Sequence, residues 1–206
     1  MCCASPSPVW NPDPVTHRLV LLRHAKSDRE LDVVDIRRPL AARGRRQAAE
    51  VGPALVAAGL VPNLALCSTA QRARQTWELV AASLVAASPH DEASSGGGSG
   101  GEPTAAHLDD GPAVTFLDEL YGASVDGVLA AVRRVDESVG TLLVVGHEPT
   151  ISRTATALAG LGSDDATYVR IQLGVPTAAW SVSTVLGPWA ELARGGALLE
   201  RLHVPA

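Results

Sequence analysis

The chain has 206 residues, of which 46% are hydrophobic and only 3% aromatic, and it carries a formal net charge of -5. That length suits one domain with a core built of Ala, Val and Leu, and is too short for two comfortable ones. A mildly acidic chain gives no reason to expect nucleic acid or a membrane as partner.

Residues 1–17 read as a disordered leader. Met1 to Pro14 holds four prolines and no apolar run, so it is neither a signal peptide nor a membrane span. The three cysteines, Cys2, Cys3 and Cys67, show no C-x-x-C spacing, which points to a reducing cytoplasm and a buried Cys67.

The expected domain is 18–206. Its first element is Arg18-Leu-Val-Leu-Leu22, a short apolar run of the kind found in a fully buried strand. Ala41 to Gly59 has helical composition, and Gly52-Pro53 should kink or restart that helix. Asn63 to Cys67 is the second strand, and Gln71 to Ala87 a helix rich in Ala and Leu. Ser88 to Pro112, with Ser94-Ser-Gly-Gly-Gly-Ser-Gly-Gly101 at its centre, has almost nothing large to bury and reads as a flexible insertion in a surface loop.

The rhythm then resumes with a strand at Ala113 to Leu117, a helix at Val125 to Asp136, a strand at Thr141 to Val145 and a helix at Thr150 to Ala159. Ala178 to Thr184 and Ala197 to Val204 read as further strands, forming a hairpin at the sheet edge. Strands alternating with helices predict a single α/β domain, a mostly parallel sheet with helices on both faces.

Ligands of such sheets lie beyond the carboxyl ends of the strands. There the sequence places Arg23-His24-Ala25-Lys26, then Ser68-Thr-Ala-Gln-Arg72-Ala-Arg74-Gln-Thr76, then Gly146-His147-Glu148-Pro149. Two arginines and two histidines without clustered carboxylates make an anion site, because guanidinium groups grip phosphate oxygens in pairs. The helix beginning at Gly146-His147-Glu148-Pro149 should add free amides to it. No metal-ligand set is evident, and neither metal nor cofactor is expected.

Arg23-His24-Ala25 resembles the Arg-His-Gly signature of the histidine phosphatase superfamily, and the other two segments resemble its later motifs in order. Arg23 to Ser27, Arg38-Pro39-Leu40, Arg43-Gly44, Leu120-Tyr121 and Pro176 to Ala179 are more narrowly similar to the SixA-type phosphohistidine phosphatases. The resemblance implies a phosphoglycerate-mutase-like fold and a metal-independent phosphatase with His24 as nucleophile. Arg23, Arg72 and His147 would bind the phosphoryl group. Glu119 is the candidate proton donor and Asp118 the second choice, either being equally well an exposed loop acid.

Lys26 and Arg38 are weaker candidates for substrate contact, surface charge being the default for both. Arg74 should point elsewhere. His17, His90, His107 and His203 fall in tail or loop sequence, and the scattered tryptophans Trp10, Trp77, Trp180 and Trp189 read as packing residues. The substrate implied is a phosphohistidine-bearing protein. The alternatives are a small phosphate ester, such as a nucleotide or sugar phosphate, or a non-catalytic phosphate-binding module.

Overall fold

The computed structural model describes residues 16–28, 33–87 and 111–205. In chain order its main elements are β1 (Thr16–Arg23), α1 (Ala42–Ala57), β2 (Leu64–Ser68), α2 (Gln71–Ala87), β3 (Ala113–Leu117), α3 (Val125–Val132), β4 (Thr141–Gly146), α4 (Thr150–Leu158), α5 (Asp165–Gln172), β5 (Trp180–Leu186) and β6 (Ala197–His203). They form one six-stranded sheet in the order β3-β2-β4-β1-β5-β6. β3, β2, β4 and β1 run parallel, and β5 is antiparallel to both β1 and β6.

Both faces of the central strands are buried, which fixes the layering. Leu19 and Leu21 of β1 and Leu142 and Val144 of β4 pack with α3, α4 and α5. Val20 and Leu22, with Leu143 and Val145, pack against α1 and α2 on the other face. All of these side chains are 1% exposed or less. Strands wedged between two helical layers show no polar alternation, which is why they read as continuous apolar runs.

From β1 the chain crosses to β2 on one side, while from β4 it crosses the opposite way to β5. The carboxyl ends of adjacent β1 and β4 therefore flank a topological switch, where a crevice opens.

The expected architecture is correct, with local corrections. β1 begins at Thr16, so the last two residues assigned to the leader are strand. His17 is not in loose sequence: it is 1% exposed, stacks on Trp189 at 4.6 Å and bonds Glu137 at 3.1 Å. His203 lies in β6, stacked on Trp180 at 5.0 Å. Trp77, Trp180 and Trp189 are packing residues, each 3% exposed or less. Residues 1–15 and 88–110, which include Trp10, His90, His107 and nearly all of the expected insertion, lie outside the described residues.

α1 is a single helix with Pro53 inside it, not two pieces. Gly52 is there for contact: a Cβ would lie 2.1 Å from Ser83 Oγ and 2.7 Å from Leu84 N of α2. The burial of Ala48, Val51 and Leu55 offsets the roughly 3 kcal/mol that an interior proline costs. α3 ends at Val132, four residues early, and α5, capped by Asp164 onto Thr167 N at 2.7 Å, has no counterpart in the sequence-based expectations.

Gly44 brings α1 against the loop that follows β1. A Cβ there would sit 2.0 Å from Lys26 O, which also accepts Ala41 N at 3.0 Å. Gly44→Ala should therefore push that loop outward, costing about 1–3 kcal/mol of stability by overpacking. Urea unfolding measures the loss, and kcat should fall with it because His24 is on the same loop.

Candidate active site

His24 leaves the end of β1 with its backbone held on both sides. Its N–H donates to Gly146 O at 3.0 Å, while Arg23 N–H donates to Ala179 O at 3.1 Å. The imidazole is 8% exposed. Its Nδ1 lies 2.7 Å from Ala25 O. A carbonyl can only accept, so Nδ1 carries the proton and Nε2 keeps its lone pair. That Nε2 faces Arg72 Nε at 3.3 Å. Burial is the largest influence on the ring, and nearby His147, Arg72 and Arg23 act in the same direction. They outweigh the Ala25 carbonyl and bring the pKa down from 6.5 to about 3. His24 is thus a neutral imidazole whose unprotonated Nε2 accepts a hydrogen bond from Arg72 Nε–H.

Arg72, in the first turn of α2, is 7% exposed. Thr76, one turn on, donates its hydroxyl to Arg72 O at 2.6 Å and accepts Ala25 N–H at 3.0 Å, so it ties α2 to the nucleophile loop. His147 follows β4, with its ring centroid 5.0 Å from that of His24. Its Nε2 is 2.9 Å from the fully buried Ser68 Oγ, and its Nδ1 has no partner among the described residues. Burial, then Arg72, lowers its pKa to about 4. Arg23 anchors one guanidinium nitrogen on Val175 O at 2.7 Å and lies close enough to lower the pKa of both histidines. The sheet order thus brings His24, Arg23, Arg72 and His147 together.

Asp35 and Tyr121 form part of the same cluster and carry no role in the sequence-based expectations. Arg72 donates to Asp35 twice, from Nη1 to the backbone carbonyl at 2.8 Å and from Nη2 to the carboxylate at 3.1 Å. The Tyr121 hydroxyl donates to the same carboxylate oxygen at 2.8 Å. The Tyr121 ring meets His147 edge-on at 5.6 Å, with the Arg72 guanidinium 5.7 Å from its centroid. The readable signals were an acid three residues before Arg38 and the Leu120-Tyr121 pair quoted above only as a family mark.

Several expected contributors stand elsewhere. The Glu119 carboxylate pairs with Arg134, away from the histidines and Arg72. Asp118 is exposed. Lys26 is exposed too, whereas Arg38 is a strut: its guanidinium reaches Asp28 O, Asp35 Oδ1 and Ser27 Oγ at 2.8–2.9 Å. Arg74 lies over Phe116 at 4.6 Å. Of the amides expected to be free at the start of α4, two are taken. Ile151 N donates to His147 O at 3.0 Å, and Ser152 N to the Glu148 carboxylate at 3.2 Å. The other Glu148 oxygen accepts Val175 N at 2.9 Å, bracing the carbonyl on which Arg23 rests. Among the described residues no His, Cys, Asp or Glu cluster could hold a metal ion, and no helix is long and apolar enough to cross a membrane.

A sequence model of the histidine phosphatase superfamily (branch 1) matches residues 19–93. A Mycobacterium tuberculosis protein of uncharacterized role is 37% identical over 185 residues, covering 89% of this chain and 99% of that one. A solved structure from Nakamurella multipartitia, described as a candidate phosphohistidine phosphatase SixA, is 31% identical, with 94% of this chain and 99% of that one covered and a TM-score of 0.71. The chain belongs to the histidine phosphatase superfamily. It is a phosphatase, and its SixA-like fold is shared with the tungstate complex of the protein histidine phosphatase SixA, which is 19% identical with a TM-score of 0.63 over 91% of this chain and 97% of that one.

The lowered pKa values make this histidine phosphatase sensitive to acid in a definite sense. An unfolded histidine takes up a proton near pH 6.5, whereas folded His24 and His147 resist until about 3 and 4. Stability should therefore fall as pH drops from about 6.5 towards 4, and His24→Asn should make that slope shallower in urea titrations. Nitrogen-15 NMR at pH 6 should find both rings uncharged, with the His24 proton on Nδ1.

Proposed function

We propose that the protein dephosphorylates phosphohistidine on a protein substrate, by way of a phosphohistidine formed on His24. The observation that carries this reading is the neutral His24, its Nδ1 proton fixed on Ala25 O and its Nε2 lone pair beside the Arg72 guanidinium. Nε2 attacks phosphorus, the bond to the leaving group breaks, and water later hydrolyses the new P–N bond. Splitting the reaction this way replaces one hard displacement with two easier ones. Arg23, Arg72 and His147 balance the charge on the non-bridging oxygens, the electrostatic work that dominates phosphoryl transfer.

A macromolecular phosphohistidine is favoured over a small ester on two grounds. One is kinship with the 31% identical SixA-like structure. The other is that, among the described residues, the acids near the site are not available as proton donors: Glu119 is committed to Arg134 and Asp35 is an anion, its pKa lowered to about 2 chiefly by the Tyr121 and Arg38 hydrogen bonds. An alkoxide leaving group needs a proton donor, whereas a phosphorylated imidazole can already carry its proton.

His24→Ala should abolish turnover, and Arg72→Ala or His147→Ala should each cut kcat by about a hundredfold or more. Acid quench of the wild type with labelled phosphohistidine peptide should destroy the phosphoenzyme, and alkaline quench should preserve label on His24. Label on serine, or none on a fully active enzyme, would show the mechanism to be wrong. Faster hydrolysis of nucleotides or sugar phosphates than of the peptide, measured with chelator present, would overturn the substrate assignment.

A further inference from the structure

The Asp35 carboxylate is the unexpected charge in a site built to hold an anion. Its side chain is 52% exposed, on the solvent side of an Arg72 side chain that is 9% exposed. A carboxylate accepts about four hydrogen bonds. Here Oδ1 takes Arg38 at 2.8 Å, and Oδ2 takes Tyr121 at 2.8 Å and Arg72 at 3.1 Å. That leaves one acceptor position without a partner among the described residues, on a half-exposed carboxylate bonded to Arg72 of the phosphoryl site. A carboxylate that only braced Arg72 would be better placed under cover, because exposed ion pairs contribute little.

We propose that Asp35 is a specificity-determining residue that accepts the ring N–H of a protonated, N-phosphorylated imidazole and so selects a substrate whose leaving group departs neutral over one whose leaving group departs as an anion. The proposal rests on the phosphohistidine reading given above. In the step concerned, the His24 Nε2 lone pair forms a bond to phosphorus and the P–N bond of the substrate breaks. Its electron pair stays on the departing nitrogen. The ring enters as a phosphoimidazolium and leaves as neutral imidazole, the proton still on its other nitrogen. Without that proton it would have to leave as an imidazolide anion, so a carboxylate that keeps the proton in place raises the reactive fraction. With an aryl or alkyl ester the departing oxygen gathers negative charge, and the same carboxylate opposes it. Asp35 does not itself titrate in the working range, being held near 2 by its hydrogen bonds. Among the described residues, the charged and titratable groups facing it are Arg38 on its own turn, Arg72 on α2 and Tyr121 after β3. Tyr121, its pKa raised above 10 by Asp35, stays a neutral donor.

The test is kcat/KM of wild type and Asp35→Asn between pH 6 and 9 on three compounds: a phosphohistidine peptide, N-phosphoimidazole and p-nitrophenyl phosphate. The ratio of each P–N substrate to the phenyl ester should fall by about tenfold or more in the variant, the scale of one charge-assisted hydrogen bond. The alkaline limb of the P–N profiles should move to lower pH, because losing the anion lowers the pKa of the bound ring. Tyr121→Phe removes one brace but keeps the charge, and should leave the ratio within about twofold. An equal loss on all three compounds in Asp35→Asn would reduce Asp35 to a brace for Arg72 and overturn the proposal, as would an unchanged ratio. A wild type inert towards the peptide alone would defeat the protein-substrate reading, while the N-phosphoimidazole ratio would still decide the role of Asp35.

Discussion

The hydrogen bond from His24 Nδ1 to the Ala25 carbonyl, 2.7 Å long, fixes both the tautomer and the direction of the nitrogen proposed as the nucleophile. Everything else at the site depends on that bond holding. Burial and the neighbouring guanidinium groups keep the ring neutral, since a proton on Nε2 would place a cation beside Arg72 and Arg23. In the proposed mechanism the arginines therefore serve twice: they attract the phosphoryl oxygens, and they hold the nucleophile in the form that can attack. A site with fewer cations would bind the anion less well and leave the histidine easier to protonate.

The fold supports that bond through short, buried contacts. Ala25 N reaches Thr76 of α2 at 3.0 Å, Lys26 O receives Ala41 at 3.0 Å, and Gly44 lets α1 close over the same loop. On the far side, Gly146 O holds the His24 amide and Ala179 O the Arg23 amide, so strands on both sides of β1 clamp its end. Glu148 works at one remove, capping α4 and bracing the Val175 segment on which Arg23 rests. These tethers join both faces of the sheet to the one residue whose nitrogen must be aimed.

What was legible in the sequence was what repeats or is local. Apolar runs such as Arg18-Leu-Val-Leu-Leu22 announced buried strands, and α2 and β3 fell where composition placed them. His24, Arg23, Arg72 and His147 were legible because each stands at or just past the carboxyl end of a strand. Asp35 and Tyr121 were not, because their importance comes from meeting each other across 86 residues of chain, beside Arg72 and His147, with no local pattern to connect them. Glu119 was misleading for the same reason in reverse: it follows a strand, yet Arg134, 15 residues on, takes its carboxylate away from the cluster. The Ser152 amide of α4 was counted as free because the Glu148 cap depends on a side chain folding back, and Gly52-Pro53 looked like a break because the contact with Ser83 is invisible in sequence.

The central claim is that phosphorus changes hands twice, first to His24 and then to water. Stereochemistry at phosphorus tests this without relying on any trapped species. Turnover of a substrate made chiral with oxygen isotopes and sulfur should release thiophosphate with overall retention, because two in-line displacements each invert the centre. Overall inversion would mean that water attacks the substrate directly, and His24 would then be a base or a ligand and not the nucleophile.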